Sequence, residues 1–365
     1  MELFILSICF ASFACQSDKY IAFEIDDTEK ADQQSDDDSV SDSETEKNVD
    51  SSSTCGVPDF FRWNSSEEII SPAKGDIALK DPSVLYHDGK WHIYATTRSE
   101  NGDWGMTYIN FTDWADAGEA PRTKISVNPN IAGYKVSPQL FYFSPDKLWY
   151  LIYQTQEPAY STSTDPSDVY SWSATKRFMP MPGIIENSDT GGIDYWVICD
   201  DNDCYLFFTA CNGILYRART TRDDFPDGFA GTTEIVLEDD TYNIFQGCNV
   251  YAIPEDDHTV YLLNILAISA SGNRYFRAWT ADRLDGEWTE LATTEKNAFA
   301  TPFNVTGGDW ALDGIVQGEM LRDNPDETMT INTCNMRYLY QGLVAEGAVF
   351  SQNVYSLGLL TDARD

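Results

Sequence analysis

From residue 55 onward, apolar residues come in short runs rather than on a helical stripe. Runs of six to eight residues rich in Val, Ile, Tyr, Phe, Trp and Thr alternate with Asp, Gly, Pro and Asn turns, a pattern that predicts an all-β protein. Five of the runs share a common opening: "DPSVLY" from Asp81, "SPQLFY" from Ser137, "DYWVIC" from Asp194, "QGCNVY" from Gln246 and "QGEMLR" from Gln317. The intervals between them are 56, 57, 52 and 71 residues. A polar turn and a second run follow each, in order "KWHIYATT", "LWYLIYQT", "CYLFFTAC", "VYLLNILA" and "TMTINTC". A third run often follows and ends in Thr near Asp, as in "AYSTSTDP", "LYRARTTRDD" and "YFRAWTAD". Five multistranded units, none able to bury both faces alone, predict a five-bladed β-propeller, against the plainer alternatives of a sandwich or an irregular β-helix.

In a propeller the innermost strands line a shared funnel. This register therefore gathers Asp81, Ser137, Asp194, Gln246 and Gln317 on one small site. For one Asp alone, the ordinary reading is a strand-end residue that satisfies backbone N–H groups. Two carboxylates at the same repeat position support a different reading. Their like charges raise at least one pKa, and such pairs carry acid–base chemistry, including glycoside hydrolysis.

Composition changes the picture at the amino terminus. Residues 3–14, "LFILSICFASFA", form an apolar run too short to span a bilayer and suited to a signal peptide. "SFAC", ending at Cys15, resembles a lipoprotein cleavage box, so 1–15 is expected to be a signal peptide of lipoprotein type. Residues 16–54 hold 13 Asp/Glu and 3 Lys and almost no aromatics, which predicts a disordered acidic linker. Residues 55–365 are then the folded domain. An extracellular or cell-surface location follows, with membrane contact only through an N-terminal lipid. The formal net charge of −35 argues against nucleic acid as a partner.

Export changes how the cysteines are read. Six remain after Cys15: Cys55, Cys199, Cys204, Cys211, Cys248 and Cys334. An even number in an exported chain suggests disulfides. Cys55 precedes the first repeat and Cys334 lies in the last, so a Cys55–Cys334 bridge is expected to close the ring. Cys199 and Cys204 flank a tight turn and are expected on adjacent strands, but not as partners of each other. Irregular spacing, with His87, His92 and His258 elsewhere, argues against zinc.

The ordered stretches "ALKDPSVLYHDGKWHIYATT", "SPQLFYFSPDKLWYLIYQT", "YSTSTDP", "IDYWVICDDNDCYLFF", "LYRARTT", "YFRAWTADRLDGEW", "FNVTGGDWALDGIVQGEMLR" and "CNMRYLYQG" resemble glycoside hydrolase family 62. Members of that family are exported α-L-arabinofuranosidases that remove arabinose side chains from xylan, and their fold is a five-bladed propeller. The resemblance implies an inverting mechanism with Asp81 as general base and Asp194 as the residue that tunes the acid's pKa. It places Lys80, Gln317, Glu319 and Tyr340 against the substrate, an arabinose-substituted plant polysaccharide. No cofactor is implied, and a monomer is expected. The resemblance also suggests a cation on the central axis, a structural Ca²⁺ or a Na⁺.

Three departures fall in the pocket. The family's general acid is a Glu in an F-E-A stretch, and here that position is Gln246, in "FQG". A glutamine amide can hydrogen-bond but cannot deliver a proton to a departing sugar oxygen. Gln317 stands where the family usually has His near the central cation, which weakens the Ca²⁺ expectation. Leu266 stands where an acidic residue is expected. Two functions follow. One is a glycosidase in which Glu319, or Glu186 or Asp189 from a loop, supplies the proton. The other is a tethered pseudoenzyme that binds arabinose-bearing glycans without cutting them.

Overall fold

The computed structural model describes residues 55–364 except 186, 187, 189, 313 and 346–351. The expected signal peptide and acidic linker, and the candidate acids Glu186 and Asp189, lie outside the described residues. The described chain is all-β. Its helical content is three short 3₁₀ turns, Trp114–Glu119, Ile125–Val127 and Pro129–Ile131.

The strands form four sheets. One contains Val136–Phe143, Leu148–Gln154, Pro158–Ser163 and Lys176–Arg177 in sequence order. The next contains Ile193–Cys199, Asp203–Thr209, Ile214–Thr221 and Glu234–Glu238. A third contains Gln246–Pro254, Thr259–Ile268, Arg274–Ala281, Thr289–Thr294 and Asn297–Ala298. The expected third runs are therefore strands in each of these sheets. The fourth sheet has nine strands and joins the two ends of the chain. Its strand Val354–Asp362 pairs antiparallel with Arg337–Ala345 and with the N-terminal Trp63–Ser65, and meets Asp76–His87 in parallel at Ala78 and Tyr355. The first and fifth sequence units thus share one sheet.

Most inner strands are buried on both faces, which is why the sequence shows continuous apolar runs rather than strict alternation. All seven residues of Ile193–Cys199 and of Asp203–Thr209 are buried. Polar handles on aromatic rings tie neighbouring sheets together. Trp196 donates its indole N–H to Val250 O at 2.9 Å, and Tyr251 Oη accepts Met320 N–H at 2.9 Å.

Two expectations need correction. "TMTINTC" is not the second strand of the fifth unit. Its partner strand, Gly318–Met320, has only three residues, so the chain dips across the far end of the other sheets before returning as Arg337–Ala345. There the carbonyls of Pro325, Glu327 and Met329 accept N–H bonds from Tyr142, Cys199 and Ala252, one from each of the other three sheets. Second, Cys199 and Cys204 are disulfide-bonded. They face each other directly in the antiparallel register, with Cα atoms 4.1 Å apart, so the tight turn brings them together rather than past each other. The expected Cys55–Cys334 disulfide is present and spans 279 residues of sequence.

Candidate active site

Each of the four long inner strands breaks its ladder near its start. The register slips between Lys80 and Ser83, between Val136 and Gln139, between Ile193 and Trp196, and between Gln246 and Cys248. At each slip one residue takes a left-handed backbone: Asp81 (φ 46°), Ser137 (φ 51°), Asp194 (φ 54°) and Gly247 (φ 62°). Such bulges re-aim side chains and cluster beside active sites. They also turn a backbone N–H out of the ladder, and a buried N–H needs an acceptor.

A side chain supplies that acceptor each time, from the preceding sheet in three cases and, for Asp81, from the strand Arg337–Ala345 of its own nine-stranded sheet. Gln341 Oε1 accepts from Asp81 at 2.7 Å, and Thr96 Oγ1 from Ser137 at 2.8 Å. Gln154 Oε1 accepts from Asp194 at 3.4 Å, and Asp194 Oδ2 from Gly247 at 3.1 Å. The equivalent position in the fourth unit is therefore Gly247, and Gln246 falls one residue earlier, level with Lys80, Val136 and Ile193.

Asp81, Ser137, Asp194 and Gln317 line one small open cavity, with Trp196, Cys248 and Asn249 around them. Ser137 Oγ stands between the two carboxylates. It donates to Asp194 Oδ1 at 2.7 Å and lies 3.5 Å from Asp81 Oδ2. The Gln317 amide also bonds the Asp194 carboxylate. A Cβ on Gly247 would lie 3.2 Å from the Gln317 side chain, so the glycine gives that amide its room. Burial pushes the Asp194 carboxyl up to about 6, and the charge on Asp81 adds to the rise. The hydrogen bonds from Ser137 and Gln317 and the charge on Lys80 oppose it. The Lys80 ammonium sits between aromatic faces, 5.1 Å from the Tyr355 ring centre and 5.7 Å from that of Trp104.

The remaining candidates lie elsewhere. Gln246 is half-buried outside the cavity lining, with Cys211 Sγ 4.0 Å from its Oε1 and the fully buried Leu266 opposite it in the register. Tyr340 has no exposed surface. Its hydroxyl lies 2.7 Å from Ser65 Oγ and its ring stacks on Trp310 at 5.5 Å. Glu319 needs correction both as a substrate contact and as a proton donor. It is fully buried, and Arg322 Nε lies 2.7 Å from its Oε1. Glu319 Oε2 accepts Val84 N–H at 3.3 Å, while Arg322 donates to Leu140 O at 2.7 Å. A carboxylate already matched by a guanidinium does not suit the expected Ca²⁺. Among the described residues there is no group of three or more His, Cys, Asp or Glu that could hold a metal.

Sequence reasoning missed Gln341, Gln154, Thr96 and Arg322. The two glutamines had a signal, because a Gln inside an apolar run, as in "LIYQT" or "YLYQG", must find a buried partner.

Residues 62–361 match glycosyl hydrolase family 62. The chain is 42% identical over 316 residues to α-L-arabinofuranosidase C of Cellvibrio japonicus, a match that covers 85% of this chain and 48% of that protein. The chain thus spans about half the length of this curated relative. Among solved structures, the catalytic domain of the Coprinopsis cinerea GH62 α-L-arabinofuranosidase superposes with a TM-score of 0.80 at 41% identity, over 84% of this chain and 98% of that one. An α-L-arabinofuranosidase from Podospora anserina, in complex with cellotriose, does so with a TM-score of 0.80 at 36% identity, over 84% and 98%. A family-43 glycoside hydrolase at 12% identity shares the fold, with a TM-score of 0.53.

Proposed function

Because the chain belongs to glycosyl hydrolase family 62, we propose that it is an inverting α-L-arabinofuranosidase-type protein with a crippled proton donor. Its substrate in this reading is the arabinose side chain of arabinoxylan, and its sheets are the blades of a five-bladed propeller. The observation that carries the reading is the Asp81–Ser137–Asp194 constellation on a scaffold of this family. Asp81 takes a proton from a water that attacks the anomeric carbon. Asp194 orients the sugar and sets the electrostatics of the pocket. The glycosidic oxygen must leave with a proton; the family's donor position is Gln246, one residue before the Gly247 that bonds Asp194, and a glutamine amide has no proton to give. The sugar then has to depart as an alkoxide, a poor leaving group, whereas a nitrophenolate departs unaided.

A second reading, binding without cleavage, is favoured by the same glutamine and by the withdrawal of Glu319 into its ion pair. Arabinose release from arabinoxylan and hydrolysis of nitrophenyl arabinofuranoside separate the two. The unaltered chain should release negligible arabinose from arabinoxylan and retain some turnover of the nitrophenyl glycoside, which Asp81→Asn abolishes. Gln246→Glu should raise release from arabinoxylan by at least about 10²-fold, the low end of general-acid effects. Full activity of the unaltered chain, with no gain from Gln246→Glu, would place the acid elsewhere. No turnover of either substrate, with glycan binding intact, selects the second reading. Export with a lipid on Cys15 belongs to the same proposal, and mass spectrometry finding any other mature N-terminus removes the lipid.

A further inference from the structure

Tyr134 lies just before the strand Val136–Phe143 and three residues before Ser137, with 44% of its surface exposed. It is outside the cavity lining, yet the charges of both Asp194 and Asp81 reach its hydroxyl. Gln154 connects it to the site. The Asp194 N–H points at Gln154 Oε1, and this fixes which end of the amide is oxygen. The other end, Nε2, is then a donor, and it points at Tyr134 Oη from 3.3 Å. The phenol oxygen is therefore the acceptor in that bond. Its own O–H hydrogen finds no acceptor among the described residues and is available to an incoming molecule. Burial, with the two carboxylates adding, pushes the phenol up to about 12, so the hydrogen stays in place through neutral pH.

We propose that Tyr134 is a substrate-binding residue that grips the sugar on the far side of the cleaved bond, the pentose unit to which the arabinose is attached. Its ring offers a stacking face and its O–H a donor to a ring or hydroxyl oxygen of an uncharged sugar. The carboxylates inside the cavity act on the arabinose, and the exposed phenol at the rim meets the next unit. This inference rests on the family-based reading above.

The test is calorimetric titration of the full chain with an arabinose-substituted xylo-oligosaccharide and, separately, with free arabinose. Tyr134→Phe removes the donor and keeps the ring. It should weaken oligosaccharide binding about 5- to 10-fold, the scale of one neutral hydrogen bond, and leave arabinose binding unchanged. Tyr134→Ala should weaken the oligosaccharide further. Tyr134→Phe binding the oligosaccharide as tightly as the unaltered chain overturns the inference and leaves the family reading standing. Equal loss for both ligands makes Tyr134 a support for the pocket wall and overturns it too. An unaltered chain that binds no arabinose-bearing oligosaccharide sinks the family reading, and this inference with it.

Discussion

Replacing Asp194 with Asn should reverse its effect on stability as pH changes. Burial and the neighbouring Asp81 raise the Asp194 carboxyl from 3.8 to about 6 in the folded chain. In the unfolded chain it titrates near 3.9. The folded state therefore holds this proton more tightly than the unfolded state does. The resulting stabilisation is complete below about pH 4 and is lost as pH rises through about 6. The span corresponds to about 3 kcal/mol. Asn carries no charge at any pH and removes this dependence. Against that gain stands a lost acceptor. Ser137 and Gly247 donate to the two different oxygens of Asp194, and an amide offers only one oxygen. One buried donor is left facing an NH₂ group, at a cost of about 1–3 kcal/mol that does not vary with pH. Asp194→Asn should thus be less stable than the unaltered chain at pH 4 and recover by about 3 kcal/mol by pH 8. Urea unfolding of both proteins at several pH values in this range measures the difference. If it stays constant within about 0.5 kcal/mol, Asp194 does not bear the electrostatic cost assigned to it. The variant should also lose arabinose release wherever Gln246→Glu has restored it, so the site trades stability for function.

Arg322→Met leaves Glu319 buried without its counter-charge and should cost about 3–5 kcal/mol at neutral pH, with most of the loss recovered by adding Glu319→Leu. Denaturant titration checks this, and a single-variant cost under about 1 kcal/mol would contradict it. Removing the Cys55–Cys334 disulfide should cost up to about 5 kcal/mol and removing Cys199–Cys204 about 2 kcal/mol, because the first closes a far longer loop. Unfolding of the two double-serine variants compares them, and the reverse order would refute the loop-length reasoning.

Much of this was legible in the sequence because strands and their openings repeat. The runs at Asp81, Ser137 and Asp194 begin at equivalent positions, and those three side chains meet as expected together with Gln317. The fourth run misled because "QG" offers two candidates. The chemistry drew attention to the polar side chain, while the backbone needed the glycine for its left-handed turn. Glu319 was misplaced for a related reason. The family resemblance suggested the pocket, but a carboxylate with an arginine three residues on had a partner of its own. The acceptors Gln341 and Thr96 lie far in sequence from the N–H groups they serve, 260 and 41 residues away, and no local pattern links them.

The acceptor that holds Asp81 has a consequence for how the chain matures during synthesis. Asp81 is the first carboxylate of the site to be made, yet its backbone is held by Gln341, on a strand near the end of the 365-residue chain. Thr96 and Gln154, by contrast, precede the residues they hold and are already present when Ser137 and Asp194 emerge. A growing chain can set Ser137 and Asp194 early, in order, and must leave Asp81 unset until Arg337–Ala345 has left the ribosome and docked. Asp81 is therefore the last of the three to be fixed, and a chain stopped before Gln341 would hold Ser137 and Asp194 in place without Asp81.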